Sequence, residues 1–181
     1  MNIAGLILAK SASGRLPNKN ILPLNGEPMF LTNVKKCLEI FDKVYVSSDD
    51  DDILDWADSR GAIAIKRPIE LCGGTPNIPV YQHAIQFMGD VDAIVAVQAN
   101  SPTVSSMIIE AVKYKMEIYN EVMTCHKKRT IYGSVWGITR KRLAEYKEIS
   151  DYYNPQPDIM IYDPSIDVHD KEDYSLVLKQ L

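Results

Sequence analysis

Two hydrophobic patterns alternate along the chain: short apolar runs rich in β-branched residues, and longer segments whose apolar residues recur at helical spacing. The short runs predict buried strands at residues 3–8, 43–48, 62–65, 93–97, 121–125, 134–138 and 159–162. The helical stripes predict helices at residues 28–41, 50–60, 80–88, 104–116, 141–146 and 171–181. Strands that alternate with helices form βαβ units with right-handed crossovers. The pattern therefore predicts an α/β fold with a mostly parallel sheet covered on both faces.

The first loop is the most informative of the segments that follow the predicted strands. A parallel sheet binds its ligand at the carboxyl ends of the strands, and residues 9–20 begin at such an end. Small residues there allow a ligand to approach the backbone, and Lys10, Arg15 and Lys19 supply three positive charges. A polyphosphate is the natural partner of such a loop. A solvated surface loop with scattered bases fits the charge pattern equally well.

Two later loops carry further polar candidates. Gln98, Asn100 and Ser101 follow the most hydrophobic predicted strand and are suited to hydrogen bonding a polar substrate. Alternatively, Ser101 caps the next helix with Pro102 in its first turn, which leaves Gln98 and Asn100 unexplained. Arg67 follows the third strand, where it could read a base or a phosphate or could simply be a surface arginine.

An acidic cluster near residue 170 suggests a metal site. Asp167 and His169 alternate, so that in an extended segment both side chains point to one face. A carboxylate there suits Mg²⁺, which takes few protein ligands together with substrate phosphates, whereas a histidine fits Mn²⁺ or Zn²⁺ better. Asp170, Glu172 and Asp173 are explained by the first turn of the last helix, where acidic residues are favoured.

Composition excludes several classes of protein. The 181 residues include 46% hydrophobic and 24% charged residues, which is typical of one globular domain. A net charge of −4 gives no support to a nucleic-acid surface, and no apolar run approaches the length of a membrane span. Three cysteines without paired spacing, and the lack of a signal-peptide pattern, indicate a reducing, cytoplasmic location.

Five segments, in order between residues 3 and 174, resemble one family of nucleotidyltransferases. They are ILAKSASGRLPNKNILPLNGEPM, VYVSSD, KRPIEL, VQANSP and SIDVHDKEDY. They are similar to the motifs of the CMP-sialic acid synthetase (acylneuraminate cytidylyltransferase) family, which includes the related Kdo enzymes. The resemblance implies a three-layer αβα Rossmann-like nucleotidyltransferase fold with a mostly parallel central sheet.

The resemblance also implies a reaction and a set of functional residues. A hydroxyl of an acidic, sialic-acid-like or Kdo-like sugar would attack the α-phosphorus of CTP and release pyrophosphate. Lys10 and Lys19 would be catalytic, and Gln98, Asn100 and Ser101 would bind the acceptor. Asp167 and His169 would hold Mg²⁺, with Mn²⁺ possible. The resemblance also implies a set of residues that would bind the nucleotide and that includes both lysines: Ala9, Lys10, Ser11, Ser13, Arg15, Lys19, Asn20, Arg67 and Thr75.

The sequence departs from the family pattern at several positions. Lys10 replaces an arginine, His169 replaces a carboxylate, and Ala99-Asn100 replaces Pro-Thr. Between Cys125 and Gly133 the family has a much longer stretch, which includes its dimerisation projection. We therefore expect a shortened single domain over residues 1–181, for which a homodimer is possible.

These departures leave two alternative functions open. One is a guanylyl- or other nucleotidyltransferase that acts on a sugar 1-phosphate or a small phosphorylated or phosphonate acceptor. The other is a non-catalytic member of the family that binds a nucleotide.

Overall fold

The computed structural model describes residues 1–126 and 131–180. The strands are β1 (Ile3–Leu8), β2 (Pro23–Leu24), β3 (Glu27–Pro28), β4 (Val44–Ser48), β5 (Ile63–Lys66), β6 (Ala93–Gln98), β7 (Glu121–Cys125), β8 (Ile131–Thr139) and β9 (Ile159–Tyr162). The helices are α1 (Phe30–Ile40), α2 (Asp51–Ser59), α3 (Asn77–Ile85), α4 (Ser106–Met116), α5 (Arg140–Leu143), α6 (Ile149–Tyr152) and α7 (Lys171–Gln180). Short 3₁₀ helices cover Lys19–Ile21 and Ile69–Leu71.

A seven-stranded sheet in the order β5-β4-β1-β6-β8-β7-β9 forms the centre of the described structure. Neighbouring strands pair in parallel except β8, which is antiparallel to both β6 and β7. Residues 126–130 join β7 to β8, and so short a link cannot make the crossover that a parallel pair requires. The predicted mostly parallel sheet is confirmed, and the antiparallel strand follows from the length of this link.

Helices cover both faces of the sheet, as the alternating pattern predicts. One apolar cluster joins residues of α1, α2 and α4 to Ile7 and Val95 of the sheet. The other joins α3 and α5 to Leu6 and Ile94. Adjacent residues of β1 and β6 thus lie in opposite clusters because successive strand side chains point to opposite faces. This arrangement is the expected three-layer α/β architecture.

A third, smaller cluster attaches the C-terminal segment to the first loop. Leu16 of that loop and Leu24 of β2 pack with Val168 and with Val177 of α7. The β2–β3 hairpin turns at Asn25 and Gly26, which both have positive φ, as a two-residue hairpin turn requires. The Asn-Gly pair is a sequence signal for this hairpin, which the hydrophobic pattern alone does not reveal. The cluster brings residues 163–169 beside residues 10–20.

Several predicted bounds differ from the observed ones. α3 begins at Asn77, three residues before its predicted start, and β8 begins at residue 131 rather than 134.

α4 begins at Ser106, where the Ser105 side chain accepts a hydrogen bond from the Ile108 N–H. The interpretation of Ser101 as the cap of this helix is therefore wrong. The sequence also has a run of basic residues at 126–129, which apart from His126 lies outside the described residues.

Candidate functional site

A polar cavity of about 130 Å³ lies at the carboxyl ends of β1, β5 and β6. Its lining contains seven of the residues that the sequence singles out, and they come from three separate segments that follow β1, β5 and β6: Lys10, Lys19, Asn20, Arg67, Thr75, Gln98 and Asn100. A larger, more open cavity of about 680 Å³ lies at the opposite end of the sheet and includes Met1, Asp92 and Arg140. None of the predicted site residues lines it. The smaller cavity is therefore the candidate functional site.

The first loop is anchored to the end of β4 by residues predicted to bind the nucleotide. Ala9 is buried, and its N–H donates to the Ser47 carbonyl over 3.1 Å. The Ser11 N–H donates to Asp49 over 2.9 Å, and the Ser11 hydroxyl donates to the same carboxylate. Burial would raise the pKa of Asp49, but these two hydrogen bonds, together with a backbone hydrogen bond and the charge of Arg67, lower it. Ala9, Ser11 and Ser13 lie outside the cavity lining, and their contacts with a nucleotide stay predictions.

Lys10 and Lys19 place positive charge at the cavity wall. The Lys10 ammonium donates to the Gly73 carbonyl over 3.1 Å, and the buried Asn20 amide donates to the Lys10 carbonyl over 2.9 Å. The pKa of Lys19 is lowered by burial and then by the charges of Lys10 and Arg15. Three cations held this close together repel one another, so an anion placed between them would be favoured. A triphosphate supplies that charge.

Arg67 is a buried side chain, and the surface-arginine interpretation is wrong. Only 4% of the residue is exposed. Its Nε donates to the Ser47 hydroxyl over 3.1 Å, and its Nη2 donates to the Ser47 carbonyl over 2.6 Å. Two bonds to one residue of β4 fix the plane of the guanidinium, which has further N–H donors. Arg67 is thus a rigid donor group in the cavity wall.

The loop after β6 is held by two side chains of α1 that sequence reasoning missed. The buried Asn33 amide donates to the carbonyls of Gln98 and Ser101 over 2.9 and 3.0 Å. The Lys36 ammonium donates to the Pro102 and Val104 carbonyls, both over 2.7 Å. A polar residue inside the apolar stripe of α1 is the sequence signal that could have pointed to Asn33. These bonds fix the positions of Gln98 and Asn100 in the cavity.

Asp167, the predicted metal ligand, is bonded at both carboxylate oxygens. The buried Ser101 hydroxyl donates to Oδ1, and His126 Nε2 lies 2.9 Å from Oδ2. The second ring nitrogen of His126, Nδ1, lies 2.9 Å from the Asp163 carbonyl. Burial alone would lower the pKa of His126, but the bonds to Asp163 and Asp167 raise it. His126 is a third residue, after Asn33 and Lys36, whose role the sequence did not indicate, because its partner is 41 positions away.

His169, the other predicted metal ligand, has a different partner from Asp167. Its Nδ1 lies 3.3 Å from Nη2 of Arg15. Since a guanidinium can only donate, this contact uses the Nδ1 lone pair. The pKa of His169 is lowered by burial and then by the nearby charges of Lys19 and Arg15. A cationic neighbourhood and an occupied lone pair both disfavour a metal at Nδ1.

The metal-ligating side chains near the cavity fit a divalent cation that is bound partly by the protein and partly by phosphates. Among residues 1–126 and 131–180, no three His, Cys, Asp or Glu side chains converge in a way that could hold a metal ion. Mg²⁺, however, commonly binds through one or two carboxylates, several waters and substrate phosphates. Each Asp167 oxygen keeps a second lone pair after the bonds to Ser101 and His126. Asp167 therefore fits a cation that arrives with a triphosphate.

Taken together, the fold and the site define an α/β protein with a cationic first loop at the carboxyl edge of its sheet, the edge at which such folds bind their ligands. A family model described as cytidylyltransferase matches residues 4–164. The chain belongs to this cytidylyltransferase family, and the expected family relationship is confirmed. No helix in the described residues is long and apolar enough to cross a membrane.

Two curated relatives of this chain are named as cytidylyltransferases. An 8-amino-3,8-dideoxy-manno-octulosonate cytidylyltransferase of Shewanella frigidimarina is 30% identical over 116 residues, which are 62% of this chain and 46% of the relative. An N-acylneuraminate cytidylyltransferase of Escherichia coli O18:K1:H7 is 35% identical over 115 residues, 61% of this chain and 27% of the relative. The chain spans about half the length, or less, of these curated relatives.

Solved structures share the fold at low sequence identity. A CMP:2-keto-3-deoxy-manno-octonic acid synthetase complexed with CTP superposes with a TM-score of 0.81 and 14% identity, covering 99% of this chain and 98% of that one. Rv0371c of Mycobacterium tuberculosis H37Rv, complexed with manganese, superposes with a TM-score of 0.74 and 13% identity, covering all of both chains. At such identities the likeness establishes the Rossmann-like fold of this chain.

Proposed function

We propose that this protein is a CTP-dependent cytidylyltransferase that transfers CMP to an acidic sugar of the Kdo or sialic acid type and releases pyrophosphate. One observation carries the proposal. A single cavity contains the cationic first-loop residues Lys10 and Lys19, the fixed guanidinium of Arg67, and the amides of Gln98 and Asn100. The named activities of the relatives supply the nucleotide and the class of acceptor.

Each group in the cavity has a role in this reaction. Lys10 and Lys19 bind the triphosphate and neutralise the charge that develops as pyrophosphate leaves the α-phosphorus. Arg67 reads the pyrimidine together with Asn20. Gln98 and Asn100 hold the acceptor so that its hydroxyl faces the α-phosphorus, and most of the rate enhancement comes from this positioning.

Asp167 would hold the divalent cation, Mg²⁺ or Mn²⁺. When bound, such a cation neutralises phosphate charge and orients the phosphates. His169 is proposed to act through Arg15 rather than as a ligand, because its Nδ1 already faces that guanidinium.

The first experiment is a calorimetric titration with CTP, UTP, GTP and ATP in Mg²⁺ and again in Mn²⁺. We expect selective binding of CTP. Pyrophosphate release is then measured with CTP and each of three acceptors: Kdo, 8-amino-Kdo and N-acetylneuraminate. Selective binding of GTP would replace the proposal with a guanylyltransferase, and failure to bind any of the four would leave a member of the family without nucleotide function.

Lys19→Ala tests the charge at the cavity directly. A hydrogen bond to a charged group contributes about 1.5–3 kcal/mol, so we expect CTP affinity to fall by about 10- to 150-fold. Lys43→Ala is the matched control, because Lys43 is exposed and its partner, Asp90, lies at the opposite end of the sheet. Equal CTP affinity in the two variants would exclude Lys19 from the phosphate site.

A further inference from the structure

His126 joins the end of β7 to Asp167, a contact that the proposed reaction does not use. It lies directly after β7, and its side chain is about one quarter exposed. Its Nε2 lies 2.9 Å from Asp167 Oδ2. It also borders a cavity of about 340 Å³ beside Tyr162 and Ser165. A histidine in this position is neither a core residue nor a freely solvated one.

The orientation of the His126 ring is fixed from its other side. Nδ1 lies 2.9 Å from the Asp163 carbonyl, which can only accept, so Nδ1 carries a hydrogen. Asp163 is itself held, because its carboxylate accepts from the hydroxyls of Ser134 and Ser165 and from the Ser165 N–H. Nε2 is directed at Asp167 Oδ2, which also only accepts, so His126 makes both contacts as a donor with a hydrogen on each ring nitrogen.

Asp167 is thereby held by two separate parts of the sheet. Ser101, from the loop after β6, donates to Oδ1, and His126, from the end of β7, contacts Oδ2. Only about 15% of the Asp167 side chain is exposed. Because both oxygens are bonded, the carboxylate cannot rotate about its last bond without breaking a contact.

We propose that His126 is a positioning residue that orients the Asp167 carboxylate for the divalent cation accompanying CTP. This inference rests on the proposed role of Asp167 in the preceding section. Groups that hydrogen bond a metal-ligating side chain fix its orientation, and their removal commonly lowers metal affinity 10- to 100-fold. His126 stands in this relation to Asp167, and Ser101 is its counterpart on the other oxygen.

Two variants separate the two contacts of the ring. The amide nitrogen of glutamine lies close to the position of Nε2, so His126→Gln keeps a donor towards Asp167. The shorter asparagine amide lies near the position of Nδ1, so His126→Asn keeps only the contact with the Asp163 carbonyl. Both replacements are neutral and polar, so a difference between them reports the Asp167 contact.

The experiment measures Mn²⁺ affinity by electron paramagnetic resonance in the presence of CTP. We expect His126→Asn to bind Mn²⁺ about 10- to 100-fold more weakly than the unaltered protein, and His126→Gln to retain most of the affinity. CTP affinity in EDTA and the thermal midpoint should be alike in the two variants. His83→Gln, a replacement on α3, is the control for loss of an imidazole elsewhere.

Asp167→Asn separates failure of this inference from failure of the proposed function. If Asp167→Asn weakens Mn²⁺ binding and His126→Asn does not, His126 has no positioning role and the inference is overturned. If Asp167→Asn itself leaves Mn²⁺ affinity unchanged, the proposed cation site is wrong, and the inference falls with it.

Discussion

At the scale of single residues, the structure surrounds a buried charge with several hydrogen-bond partners. Glu121 is the strongest example, since its carboxylate is fully buried at the start of β7. It accepts from Trp136 Nε1 over 3.0 Å, from the Tyr146 hydroxyl over 2.8 Å and from Arg142 Nε over 3.0 Å. A buried carboxylate is tolerated only when it is paired and hydrogen bonded in this way.

The Glu121→Gln variant should therefore be markedly destabilised. The amide would present N–H groups to donors and would leave Arg142 without its buried partner, so we expect a loss of about 3 kcal/mol in the free energy of unfolding. Urea denaturation measures this loss. Glu145→Gln is the control, because Glu145 contacts the same Arg142 from an exposed position, where a pair contributes about 0.2–1 kcal/mol. If both variants lost the same free energy of unfolding, burial of the Glu121 carboxylate would not explain its contribution to stability.

At the scale of secondary-structure elements, α1 does more than cover the sheet. Its Asn33 and Lys36 lie one turn apart and bond four carbonyls of residues 98–104. Burial lowers the pKa of Lys36. Its ammonium nevertheless donates hydrogen bonds to the Pro102 and Val104 carbonyls. The helix thus sets the shape of the loop that carries the predicted acceptor residues.

Lys36→Met tests this role of α1, because methionine keeps the length of the side chain and removes the donor. The Pro102 and Val104 carbonyls lose a partner, which should destabilise the protein by about 1–3 kcal/mol. We expect KM for the acceptor to rise more than KM for CTP, since residues 98–101 face the acceptor in the proposed reaction. Lys35→Met is the control, as the exposed Lys35 pairs with Glu27. A rise in KM for CTP alone would refute this role.

At the scale of the whole molecule, the site depends on two distant parts of the chain meeting. Leu16, Leu24 and Met29 pack with Val168 and Val177, and this cluster places Asp167 near the first loop. The electrostatic influence of Asp167 on Lys19 reflects that proximity. Val177 is the buried residue of α7, so this helix is attached to the rest of the protein through little apolar area.

Val177→Ala should loosen the attachment of α7. Removing two buried methyl groups, at about 0.8 kcal/mol each, gives a loss of roughly 2 kcal/mol once a small cavity is included. Hydrogen exchange should show α7 losing protection before the central strands, and Mn²⁺ affinity in the presence of CTP should fall. Leu178→Ala, at the neighbouring exposed position, is the control. If both variants exchange alike, the cluster does not hold α7 in place.

The sequence by itself determined the α/β architecture and most of the strands, because hydrophobic periodicity is a local property that survives without tertiary information. It also identified Lys10, Lys19, Arg67, Gln98 and Asn100, since loops that follow parallel strands must meet at one edge. All five of these line one cavity.

Only the tertiary structure decided which polar groups pair across the chain. The bonds of Asp167 to Ser101 and His126, and the contact of His169 with Arg15, join residues 41 to 154 positions apart. Such pairs leave no periodic trace in a single sequence. Their partners are set by the strand order and by the docking of α7, which are properties of the assembled fold.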